Sequence, residues 1–128
     1  MAMGMKDMAA SLAALDEDTR RTMLGTRLQG FAAMPYEERV RAMAEMLGGI
    51  HGLSDADHRA LVSSRTWALS QLPHDTQVTL MRAHLAALVS LQPEQRQRET
   101  EAVKAGMAAL SDDAKQKAMA AMQEAQAQ

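Results

Sequence analysis

Leu15, Met34, Leu53, Leu72, Leu91 and Leu110 follow one another at intervals of 19 residues without a slip. This regularity constrains the fold more than any other feature of the chain. A unit so short cannot bury a core of its own, so its copies must stack on one another. Each of the six markers precedes a helix-start signal. Asp16, Ser54 and Ser111 are N-cap residues with acidic side chains in the turn that follows, and Ser54 with Asp57 makes the S-x-x-D pattern. Pro35, Pro73 and Pro93 stand where a first helical turn tolerates proline, because its missing N–H has no helical acceptor there.

Counting from each marker, positions 10, 14 and 17 are mostly apolar. They read Leu24, Leu28 and Phe31; Met43, Leu47 and Ile50; Val62, Thr66 and Leu69; and Met81, Leu85 and Leu88. Steps of four and three residues hold these side chains on one face of a helix. Position 16 is small throughout: Gly30, Gly49, Ala68, Ala87 and Gly106. Glycine there, followed by an apolar residue, predicts a left-handed helix stop. Each unit is therefore one helix of about 14 residues, about 21 Å long.

The units alternate in character. The second and fourth share Pro35/Pro73, Val40/Val78, Met43/Met81 and Leu47/Leu85; the first and third share Arg21/Arg59, Met23/Leu61, Leu24/Val62 and Arg27/Arg65. The full period is thus a 38-residue antiparallel hairpin of one odd and one even helix. Residues 1–14 extend the pattern backwards as a truncated even helix, with Met5, Met8 and Leu12 in its register. Five repeats fill 15–109, and 110–128 is a terminal Ala/Gln/Met-rich helix, all within one domain. The fold is all-α, as a short α-solenoid or, alternatively, a compact helical bundle.

Composition agrees. Helix-favouring Ala, Met, Gln, Arg and Glu dominate, and Phe31, Tyr36 and Trp67 are the only aromatics beside 12 methionines. Without cysteine the chain has no disulfide, zinc-thiolate site or thiol chemistry. A net charge of -2 argues against general nucleic-acid binding. No apolar run is long enough to span a bilayer, and Lys6 beside Asp7 does not open a signal peptide, so the expected location is cytoplasmic.

The fifth helix breaks the pattern. Glu99, Thr100 and Lys104 occupy positions that are apolar in most units, preceded by Gln95, Arg96, Gln97 and Arg98. A polar cap on the end of the core explains this, as would a pair of marginal helices that settle on a partner.

Two stripes carry possible chemistry. The even helices repeat M-x-x-[MH] as Met5/Met8, Met43/Met46, Met81/His84 and Met119/Met122. Residues three apart are neighbours on a helix, and thioethers select copper(I) among biological metals. The same methionines suit plain core packing, where Met fills irregular gaps. The odd helices stack Arg20, Arg27, His58, Arg65 and Arg96 along one flank. Such a row can dock an anionic ligand or acidic peptide, or it can bury its stems and pair with carboxylates. His51, His58, His74 and His84 lack H-x-x-x-H spacing, and no glycine-rich phosphate loop or G-x-S-x-G element is present.

These readings predict a non-enzymatic helical-repeat module that recognises another protein or assembles with its own copy, without a cofactor. The odd-helix row and the last two helices are the expected contact regions. The alternative is a copper(I) or apolar small-ligand binder using Met43, Met46, Met81, His84, Met119 and Met122.

Overall fold

A computed structural model describes residues 5–127, with the side chains of residues 7–127. Its seven helices are α1 (Met5–Ala13), α2 (Glu17–Ala32), α3 (Tyr36–His51), α4 (Asp55–Ser70), α5 (His74–Leu88), α6 (Pro93–Ala108) and α7 (Asp112–Gln126). There is one helix for each 19-residue unit, preceded by the truncated α1, and no strand among the described residues. Successive helices run antiparallel. The closest packing is between helices two apart: α1 with α3, α3 with α5 and α5 with α7 on one side, α2 with α4 and α4 with α6 on the other. The result is two layers, each of parallel helices. Even-unit helices form the first and odd-unit helices the second, so the alternation in sequence is an alternation of layers.

The helix starts follow from local chemistry. Asp16 accepts from the Thr19 N–H at 2.8 Å, Ser54 from that of Asp57 at 3.2 Å and Ser111 from that of Ala114 at 3.2 Å. Pro35 and Pro73 occupy the cap position of α3 and α5, and Pro93 opens the first turn of α6. The ends differ from expectation. Helices α2 to α7 run for 15 or 16 residues rather than about 14, and no described residue has a positive φ. Position 16 therefore lies inside the last helical turn instead of ending it. Small residues at this position serve packing in the later units: Ala68 and Ala87 are buried, and a Cβ on Gly106 would lie 3.1 Å from the Thr66 hydroxyl oxygen. That distance marks how closely α6 approaches α4.

The core fills the space between the layers. Leu24, Leu28 and Phe31 of α2 meet Met43, Met46, Leu47 and Ile50 of α3, Leu61 and Val62 of α4, and Leu80, Ala83 and Ala87 of α5. Toward the C-terminus a smaller cluster packs Ala118, Ala121 and Ala125 of α7 on Val78 and Met81. With alanine on one side of this contact, the packing depends on close approach rather than side-chain volume. No described helix is long and apolar enough to cross a membrane.

Candidate functional site

The row of odd-helix cations is not an open flank. Arg20, His58 and Arg65 are buried, and Arg20 donates from Nε to the Ser64 hydroxyl at 2.8 Å and from Nη1 to the Leu15 carbonyl at 2.8 Å. Arg96 donates to the carbonyls of Leu88 and Leu91, each at 3.1 Å. Arg27 is half-buried beside Met8 and Leu12. Three of the five members are thus inside the fold, while Arg96 is exposed and held by its carbonyl contacts.

Position 6 has a repeated task. Arg20, Arg39, Gln77 and Arg96 each reach back to carbonyls at the end of the preceding helix or in the turn that follows it. Arg39 donates to Phe31, Ala32 and Met34, and Gln77 to Leu72 at 2.9 Å. Carbonyls at a helix end lack the usual helical N–H; those of Phe31 and Leu88 accept from the Met34 and Leu91 N–H of the turn, and the long donor from the next unit adds a partner. The third unit carries His58 at this place. There Arg98 of α6 donates instead to His51 at 2.5 Å and Leu53 at 2.8 Å, and pairs with Asp55 at 2.9 Å.

The polar break in the fifth unit turns inward. Glu99, 2 % exposed, accepts hydrogen bonds from Arg65 of α4 and from Nε2 of His84 of α5 at 2.9 Å. Burial alone would raise its pKa; the Arg65 guanidinium and His84 outweigh burial and hold it at about 2. Glu99 is therefore a carboxylate and acts only as acceptor, so Nε2 of His84 carries the proton of their hydrogen bond. Thr100 and Lys104, the other two breaks, are exposed.

Beside this triad lies a small cavity of about 40 Å³. Met43, Met81, His84, Met107 and Met122 line it, together with Arg65 and apolar side chains that include Leu80 and Val103. Four residues of the predicted soft-ligand stripe are thus brought to one place. Met46 instead lines a separate pocket with Met8, and Met119 is 50 % exposed on α7. Met5 lies outside the described side chains. Met107 was not expected from the even-helix pattern, since it comes from the opposite layer and reaches the cavity across the interface. Among the described residues no group of three or more His, Asp or Glu is placed to hold a metal ion.

A second feature stands at the start of the stack. Met8, Ser11 and Leu12 of α1, Leu15, and Met23 and Arg27 of α2 line an open groove of about 350 Å³ that is largely apolar. Met23 is 49 % exposed, whereas Leu61, which holds the same position in α4, is 2 % exposed. The difference is positional: α2 covers this flank of α4, and α4 covers it on α6, but no described helix precedes α2 in its layer.

Comparison with known protein families, curated proteins and solved structures finds no match to this chain.

Proposed function

We propose that the chain is a non-enzymatic helical-repeat module that assembles with a second copy of itself through the open edge formed by α1 and α2. The observation that carries this reading is the exposure of Met23 where its repeat equivalents Leu61 and Glu99 are covered by a neighbouring helix. What fits there is a helix with an apolar face, as the lining of the groove is apolar.

The chemistry of the two ends selects the occupant. At the far end α6 exposes Gln97, Thr100, Glu101 and Lys104. Thr100 and Lys104 replace the Leu24 and Leu28 that α2 uses against α4. Met119 on α7 stands among the exposed Gln116, Lys117 and Gln123. This polar end is a poor match for the apolar groove, so head-to-tail growth is disfavoured. An identical groove is the better complement. Two edges packed face to face bury both sets of Met8, Leu12 and Met23 in one twofold contact, which closes the assembly at a dimer. The same polar end suits the role of a cap on the core.

Hydrogen exchange as a function of protein concentration tests this. Amides of α1 and α2 gain protection as concentration rises while those of α6 and α7 do not; protection gained at the α6/α7 end, or nowhere, contradicts it.

A further inference from the structure

We propose that Met43, Met81, Met107 and Met122, together with His84, form a binding site for one soft monovalent metal ion of the copper(I) class. The proposal stands apart from self-assembly, since the cavity lies in the middle of the fold and the open edge at its start.

Convergence is the first argument. Four thioethers and one imidazole, from α3, α5, α6 and α7, line the same small space. Met43, Met81, His84 and Met122 belong to the even-helix pattern, but Met107 comes from the opposite layer, so copying that pattern through duplication does not account for its place here. Methionine ordinarily fills irregular gaps, yet here a gap of about 40 Å³ persists beside four of them. That volume holds a single ion or a water and excludes an organic ligand such as a haem.

The donor set is the second argument. Thioether sulfur and neutral imidazole are ligands for a soft ion, and the nearest carboxylate, Glu99, is already engaged by Arg65 and His84. Hard cations that require several oxygen ligands do not fit this lining. His84 stands as ligating histidines usually do, with one ring nitrogen hydrogen-bonded to a carboxylate. Arg65 also lines the cavity, but its charge is matched by that of Glu99, with which it pairs. Binding needs no redox step, because the ion enters as copper(I).

The test is titration of the full chain with copper(I) under anaerobic, reducing conditions against a chromogenic competitor, repeated with silver(I). Native mass spectrometry reads the stoichiometry and thermal unfolding reads the coupling to the fold. The expected result is one ion per chain and an unfolding midpoint that rises with metal. Met81→Leu with Met122→Leu weakens binding by about tenfold or more while the helical circular dichroism is kept. Met46→Leu with Met119→Leu leaves binding unchanged, as does Met23→Glu at the open edge. Should the first pair disturb the fold, Met107→Leu alone is expected to show the same loss. The proposal is overturned if the wild-type chain retains neither ion against the competitor. It is equally overturned if Met107→Leu and the Met81/Met122 pair bind as wild type, or if the Met46/Met119 pair weakens binding as much.

Discussion

Arg98, on α6, supplies to the end of α3 the carbonyl contacts that His58, on α4, does not supply from the position that carries arginine or glutamine in four other units. The fifth unit is therefore tied to the end of the second and the start of the third by more than apolar packing. Arg98→Ala leaves the last carbonyls of α3 without these donors and removes the pair with Asp55. A net loss of about 0.5–1.5 kcal/mol for each of the two carbonyl hydrogen bonds, with little from the exposed Asp55 pair, puts the total at about 1–3 kcal/mol in denaturant unfolding. Arg59→Ala, at an exposed site on α4, is expected to change stability by under about 0.5 kcal/mol. Equal effects of the two changes would remove the capping role.

His58 makes stability depend on pH. Burial and the neighbouring Arg98 guanidinium hold its imidazole below the usual value of 6.5, with Arg65 and His51 acting the same way and Glu99 opposing them. As pH falls, the unfolded chain takes up this proton before the folded chain does. The contribution is therefore complete above about pH 6.5 and declines below it, toward the lower folded value. Unfolding free energies between pH 8 and pH 5 are expected to fall less steeply for His58→Gln than for the wild type. Parallel curves would show that His58 does not titrate differently on folding.

The Arg65–Glu99–His84 triad predicts a strong asymmetry between single and double replacements. Glu99→Gln keeps the shape but leaves the Arg65 charge buried without its counter-charge, at a cost of about 3–5 kcal/mol. Replacing Arg65 and Glu99 together with methionine and leucine removes both charges and is expected to recover most of that loss. A double variant no more stable than the single one would mean that the pair contributes shape rather than charge.

Much of this architecture could be read from the chain. The 19-residue spacing marks the helices, and the sharing of Met43 with Met81 and of Leu24 with Val62 sets even helices apart from odd ones, the two sets that form the layers. Capping chemistry at Asp16, Ser54 and Ser111 gave the helix starts. The ends were misjudged because glycine at position 16 has two uses, a left-handed stop or a close helix contact. Local sequence does not distinguish them, since the contact partner of Gly106 is Thr66, 40 residues earlier. The spacing of the Arg20–Arg65 row leaves docking and buried stems both open for a related reason. Whether a helical flank is wet depends on helices two units away, and Glu99, which pairs with Arg65, read as a defect in the repeat rather than as its partner. Met107 escaped the soft-ligand pattern because the cavity is completed across layers.

The glycines offer a direct check on that distinction. Gly106→Ala pushes a methyl group against Thr66 and is expected to destabilise by about 1–3 kcal/mol. At Gly30 an added Cβ meets nothing within 4 Å, and a helical alanine there is expected to stabilise by about 0.4–1 kcal/mol. Thermal or denaturant unfolding of the two variants gives opposite signs. The same sign for both would contradict the close α4–α6 approach.

The open edge at α1 and α2 is tested most directly by the molar mass in solution, measured by light scattering across a concentration series for the wild type and for Met23→Glu. The predicted result is a wild-type mass that rises to twice the 13.9 kDa chain and stops there, with Met23→Glu remaining at the chain mass and keeping its helical content. A wild-type chain that stays at 13.9 kDa at every concentration, or a dimer that Met23→Glu leaves intact, would contradict assembly through this edge.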